Sequence, residues 1–142
     1  MSNRRSRKPA ISVCQSDYHR LSSLAEAFYA RNPAVAEELL SELDRARVVD
    51  DAKLKPDTAR IGSTLHYSTD TGDERNVTLV FPKYADISRG YVSILTPIGV
   101  ALLGLSPGQS IDWTSTLGER HRLTVNRVSQ DQTDKHGLPT AS

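Results

Sequence analysis

Apolar residues recur along this chain first at helical spacing and then at alternating spacing. Leu21, Leu24, Ala25 and Phe28 stand at i, i+3, i+4 and i+7, one face of a helix. Asp17 or Ser16 is placed to cap that helix, and the segment stops at Arg31-Asn32-Pro33. Asn32 as N-cap and Pro33 at the first helical position open a second helix, predicted to run to about Arg47. Its apolar face is Ala36, Leu39, Leu40, Leu43 and Ala46. Glu37 and Glu38 near its positive end, and Arg45 and Arg47 near its negative end, suit the helix dipole. So short a turn folds the two helices back antiparallel, each about 20 Å long at 1.5 Å per residue.

After a polar connector over residues 48–57 the period changes to two. Strands are predicted over residues 59–67, 75–81, 90–95, 110–115 and 120–128, with Val77, Leu79 and Phe81 alternating with Thr78 and Val80. Thr71-Gly72-Asp73 and Leu117-Gly118 supply turns. One helix interrupts the strands. Thr96 caps it, Pro97 begins it, Ile98, Ala101, Leu102 and Leu105 form its face, and Gly104 suits a left-handed end. The expected core is Leu65, Val77, Leu79, Val92, Ile94, Leu102, Leu103, Ile111, Trp113, Leu123 and Val125. The fold class is therefore α+β: a short N-terminal antiparallel helical hairpin, or coiled coil, then an antiparallel sheet with one short helix.

Charge adds a division of the chain. The net charge of its 142 residues is only +1, yet Arg4, Arg5, Arg7 and Lys8 crowd one end. Residues 1–14 read as a disordered basic arm, 15–50 as the hairpin, 58–130 as the sheet domain and 131–142 as a flexible tail. No apolar run suits a signal peptide or a bilayer span, so the expected setting is cytoplasmic, without a membrane partner. Cys14 is the only cysteine, so no intrachain disulfide can form.

Catalytic patterns are missing. There is no Gly-x-Ser-x-Gly elbow. Gly99 and Gly104 have the spacing of a P-loop's outer glycines, but Leu105-Ser106 replaces the needed Lys-Ser/Thr. His19, His66, His121 and His136 are scattered without metal-ligand spacing. The expectation is a protein that is not an enzyme, with no cofactor, no metal and no small-molecule substrate.

Four runs are distinctive: Val77-Thr78-Leu79-Val80-Phe81-Pro82, Ala85-Asp86-Ile87, residues 92–105 with Thr96-Pro97-Ile98-Gly99-Val100-Ala101-Leu102-Leu103-Gly104-Leu105 at their centre, and Gly108-Gln109-Ser110-Ile111-Asp112-Trp113. Together they resemble the FKBP-like C-terminal domain shared by the bacterial Gre transcript-cleavage factors and the regulators of nucleoside diphosphate kinase, Rnk. Leu43-Asp44-Arg45-Ala46 also looks like Rnk, and the hairpin is much shorter than a Gre coiled coil. The resemblance implies docking on RNA polymerase at the rim of its secondary channel. Carried over, the docking surface would include Asp86, Ser93 and Pro97. An FKBP-like fold could also house a prolyl isomerase, but too few aromatic residues remain to line such a pocket.

The hairpin tip bears on what docking could accomplish. In Gre factors, tip carboxylates hold a metal ion that activates water for RNA cleavage. Here the tip is Ala30, Arg31, Asn32 and Pro33, and neither they nor Tyr29 and Ala34 beside them carry a carboxylate. The sequence therefore points to a non-catalytic transcription regulator. It would bind RNA polymerase, modulate elongation or compete with Gre-type factors, and affect nucleoside diphosphate kinase levels indirectly. DNA could be a further partner through the polymerase complex, and the rival reading is a DNA-associated module that uses the basic arm and the last strand. Its candidate phosphate contacts are Arg4, Arg5, Arg7 and Lys8, joined by Arg120, Arg122 and Arg127 on the last strand.

Overall fold

A computed structural model describes residues 11–114 and 117–130. Arg4, Arg5, Arg7 and Lys8 lie outside the described residues, as does the segment read as a tail.

The helical periodicity produces α1 (Gln15–Phe28) and α2 (Pro33–Arg45). Leu21 and Ala25 of α1 are buried, as are Val35, Ala36, Leu39 and Leu43 of α2. The Asn32 side chain accepts a hydrogen bond from the Val35 N–H at 3.4 Å, and Pro33 follows at the first helical position. The start of α1 differs from expectation. The cap position is Cys14, without a side-chain hydrogen bond, and Asp17 falls inside the first turn. The reason is tertiary, because the Asp17 carboxylate is held by arginines described below.

Two strands were not legible in the sequence. β1 (Ser12–Cys14) pairs in parallel with β2 (Arg47–Val49), in register Ser12 with Arg47 and Cys14 with Val49. The basic arm was expected to run through Cys14, but Ile11, Val13 and Cys14 are buried. Likewise α2 ends before Arg47, and the start of the polar connector is a strand. Each strand is only three residues long, too short to show a period of two.

The remaining strands are β3 (Thr64–Thr69), β4 (Glu74–Val80), β5 (Tyr91–Ser93), β6 (Ser110–Thr114) and β7 (Arg120–Ser129). They form one sheet in the order β5-β4-β3-β7-β6. The sheet is mixed rather than wholly antiparallel, since β5 runs parallel to β4, with Leu79 opposite Val92. Two 3₁₀ turns, Pro82–Tyr84 and Ile87–Arg89, bring the chain back to the start of β4's partner position before β5 begins. The first strand of the sheet also starts later than expected. Gly62, with φ of 95°, breaks the chain, and buried Ala59 and Ile61 lie in the loop before it.

The helix α3 (Pro97–Leu102) shows why its sequence run is so distinctive. The Thr96 hydroxyl oxygen accepts from the Gly99 N–H at 3.0 Å, and the hydroxyl donates to the Ser93 carbonyl at 2.8 Å. A Cβ on Gly99 would overlap that same Ser93 carbonyl oxygen. Gly104 has φ of 79°, and a Cβ there would overlap the Ile11 side chain. Its N–H donates to the Ala59 carbonyl, and the Ala59 N–H donates to the Leu105 carbonyl, each at 2.8 Å. Thus Gly104 is where the chain before α1, the loop before β3 and the end of α3 converge. Leu65, Leu79, Leu102, Leu103, Leu105, Leu123 and Val125 complete one core with Leu21 and Leu39 of the hairpin. Trp113, expected in the core, is only half-buried beside it.

Gly104→Ala is expected to cost about 2–4 kcal/mol, from left-handed strain plus overpacking. Urea unfolding measures this. A loss under about 1 kcal/mol would show that Ile11 can move aside.

Candidate functional site

The residues expected to dock lie along an exposed edge. β5 is the terminal strand of the sheet. Asp86 sits beside its start, bridged through its backbone to Tyr91. The Asp86 carboxylate accepts from the Ser88 N–H at 3.1 Å and the Ser88 hydroxyl at 2.7 Å, and lies 3.7 Å from the Arg89 guanidinium. Gly90, with φ of 77°, closes this turn. The carboxylate is thus held in one orientation yet remains exposed. Ser93 ends β5, and its hydroxyl accepts from the Leu95 N–H at 3.0 Å. Pro97 follows as the first residue of α3.

The structure therefore brings Asp86, Ser93 and Pro97 to the two ends of one short edge strand and the helix after it. Each also has a local task, as turn cap, backbone acceptor and helix initiator. Ile87 joins them and was missed by sequence reasoning. It is 81 % exposed, beside the fixed carboxylate. Its signal was a large aliphatic residue inside a turn, with no alternating partner to bury it.

The tip residues Ala30, Arg31, Asn32 and Pro33 are all exposed. Beside the tip, the Tyr29 hydroxyl donates to the Glu37 carboxylate at 2.8 Å. That hydrogen bond raises the Tyr29 pKa, aided by the charge of Glu37. Among the described residues no three His, Cys, Asp or Glu side chains are grouped to hold a metal ion. Of the strand arginines offered as phosphate contacts, Arg122 is bound to Asp112 at 3.0 Å, while Arg120 and Arg127 are exposed.

Between these regions lies a buried ionic cluster that joins the hairpin to the sheet unit. The Asp17 carboxylate is 1 % exposed. It accepts from the Arg20 guanidinium at 2.7 Å and twice from Arg60, at 3.0 and 3.1 Å. Burial opposes the charge of Arg60, but Asp17 more than compensates and raises its pKa. Arg20 also lies over the Phe81 ring, 5.5 Å from its centroid. Sequence reasoning took Asp17 as a cap because its partner Arg60 is far away along the chain.

Comparison with known proteins gives two matches that together span this structure. The family described as transcription elongation factor GreA/GreB, C-terminal part, matches residues 54–130. The Rnk N-terminus matches residues 9–49. The regulator of nucleoside diphosphate kinase of Escherichia coli K12 is 34% identical over 120 residues, covering 83% of this chain and 88% of that protein. Transcription elongation factor GreA of Rhodospirillum rubrum is 35% identical over 118 residues, covering 78% of this chain and 75% of that protein. A solved GreA/GreB elongation factor from Nitrosomonas europaea superposes with a TM-score of 0.69 at 35% identity. It covers 84% of this chain and 98% of its own.

Asp17→Asn is expected to destabilise the fold by about 2 kcal/mol, at the lower end for a broken buried pair because both arginines are about one-third exposed. A fall in the urea midpoint at unchanged slope measures it, and a change below about 0.5 kcal/mol would mean that solvent replaces the pair. A second expectation concerns the tip. The folded pKa of Tyr29 lies above the unfolded value of about 10, so its contact with Glu37 is complete below that pH and is lost as pH rises through the raised value. Burial also raises the Tyr67 phenol. Two late phenols should therefore appear in an alkaline titration of tyrosinate absorbance, and Tyr29→Phe should remove one of them.

Proposed function

Since this chain belongs to the GreA/GreB transcription factor family and carries the Rnk N-terminus, we propose that it binds RNA polymerase near the secondary channel without cutting the transcript. The observation that carries this reading is a Gre-type sheet unit joined to a short hairpin whose tip has no carboxylate. α1 has 14 residues, about 21 Å at 1.5 Å per residue. Metal-assisted cleavage needs hard oxygen ligands at the reacting phosphate. The tip offers Arg31 and the side-chain amide of Asn32, and Asn32 is spent on capping α2.

Docking is assigned to the β5 edge. Asp86 supplies a preoriented charge, Ile87 an apolar anchor, and Ser93 with Pro97 the rest of the contact. An aliphatic side chain beside a fixed carboxylate is the arrangement expected of an interface centre, where apolar burial gives affinity and charge gives register. The factor would occupy a surface that Gre-type factors also use. It would thereby modulate elongation or exclude them, and any effect on nucleoside diphosphate kinase would be indirect.

The test is a pull-down of purified core RNA polymerase at moderate salt. The intact chain should bind. Asp86→Arg, still folded, should weaken binding about tenfold or more, well beyond the few tenths of a kcal/mol of a neutral surface change. Deletion of residues 1–10 should leave binding intact. Equal binding by Asp86→Arg would place the contact elsewhere. Absence of binding by the intact chain would overturn the polymerase reading and favour the DNA-associated one.

A further inference from the structure

A groove of about 800 Å³ runs between α1 and the loop that follows β4. Leu24 and Phe28 line it from the helix, and Phe81, Pro82 and Tyr84 from the loop. Leu24 and Phe28 belong to the apolar stripe of α1, but α2 covers the Leu21 and Ala25 side, leaving these two only half-buried. They are one helical turn apart, about 6 Å along the axis. The groove thus offers two apolar contacts at the spacing of an amphipathic helix.

Its charge is one-sided. No residue lining it is Asp or Glu. Its two phenylalanines and its tyrosine each carry a cation: Arg20 over Phe81 at 5.5 Å, Arg31 over Phe28 at 5.2 Å and Lys83 over Tyr84 at 5.3 Å. These are the cation–π contacts found among the described residues. Arg20 is already hydrogen-bonded to Asp17. Neither Arg31 nor Lys83 has a carboxylate partner among the described residues, and both are exposed. The rings hold these two charges at the rim of the apolar floor.

We infer that this groove docks an acidic amphipathic protein segment, with apolar side chains on the floor and Asp or Glu opposite Arg31 and Lys83. A helix laid in a groove with anchors at i and i+4 meets this geometry. Acidic flanks are set by the rim, because like charges there would be repelled. A single-stranded nucleic acid is disfavoured, since one face of Phe28, Phe81 and Tyr84 is covered by a cation and base stacking needs open ring faces. This inference does not rest on the polymerase reading. Asp86 does not line the groove, and the readout is peptide binding rather than polymerase binding.

The test uses the full chain and a labelled helical peptide of about five turns, with leucines at i, i+3, i+4 and i+7 and glutamates flanking them. A twin peptide carries lysine in place of glutamate. Fluorescence anisotropy should show saturable binding of the acidic peptide, about tenfold or more tighter than the twin, weakening as salt rises. The double variant Arg31→Glu with Lys83→Glu should lose about tenfold or more, while Lys55→Glu, equal to one of these changes in charge, should not. Far-ultraviolet circular dichroism checks that both remain folded. Equal binding of the two peptides, no saturable binding, or indifference to the double variant would overturn the proposal. If oligouridylate binds instead and the double variant abolishes it, the occupant is a nucleic acid. If the chain self-associates in sedimentation and the double variant makes it monomeric, the occupant is a second copy.

Discussion

A single buried carboxylate organises the relation between the two halves of this molecule. Asp17 belongs to the hairpin and Arg60 to the approach to the sheet. An ion at 1 % exposure is tolerable only when its lone pairs are satisfied. Here three short hydrogen bonds from two guanidinium groups satisfy it. Charge pairing of this kind has directional demands that apolar packing lacks. It therefore fixes how α1 lies against the sheet, where Leu21 and Leu39 alone would leave room to slide. The second fastening is steric. Ile11 fills the space that a side chain on Gly104 would take, so the segment before α1 is pinned to the end of α3. Arg20 extends the first fastening outward, from Asp17 to the face of Phe81. The groove between α1 and the loop after β4 is thus a consequence of the same ion cluster.

The parts of the fold that sequence revealed are those with local causes. The helical stripes, the Asn32-Pro33 and Thr96-Pro97 starts, and the left-handed Gly104 all follow from spacing or from one residue's conformational range. The parts that stayed hidden have distant causes. β1 and β2 are three residues each and exist because Ile11, Val13 and Cys14 find a buried place beside the hairpin's end. The parallel setting of β5 depends on two 3₁₀ turns returning the chain, which no alternation records. Asp17 looked like a cap because capping is the commonest local use of aspartate near a helix start, and one of its two arginine partners lies forty-three residues on.

The candidate sites divide in the same way. Asp86, Ser93 and Pro97 were named from the sequence, and the structure sets them on one edge, Asp86 and Ser93 held by bonds to residues two or three positions away. Such a surface is legible because it is built by consecutive chain. Ile87 was overlooked because the eye follows buried periodicity, and a residue in a turn has none. The groove was beyond reach for a different reason. It joins Leu24 and Phe28, read only as one face of a helix, to Phe81, Pro82 and Tyr84, far along the chain. Only the relative placement of α2 and the loop shows which of these residues the core leaves half-uncovered.

This arrangement separates two properties that a longer hairpin with acidic residues would combine. The β5 edge is shaped by the sheet, by the Asp86 turn and by the Gly99 approach to Ser93. None of these depends on the tip. The tip in turn is shaped by Asn32 capping and by the Tyr29–Glu37 contact, neither of which touches the sheet. Chemistry at the tip can therefore be lost while the edge is kept, without strain passing from one to the other. The groove lies where the two units meet, and it would respond to any change in their angle. Under the proposed reading, a segment bound there would act on the angle at which the hairpin projects from a docked sheet unit, with Arg20 as the shared link between the groove wall and the Asp17 cluster.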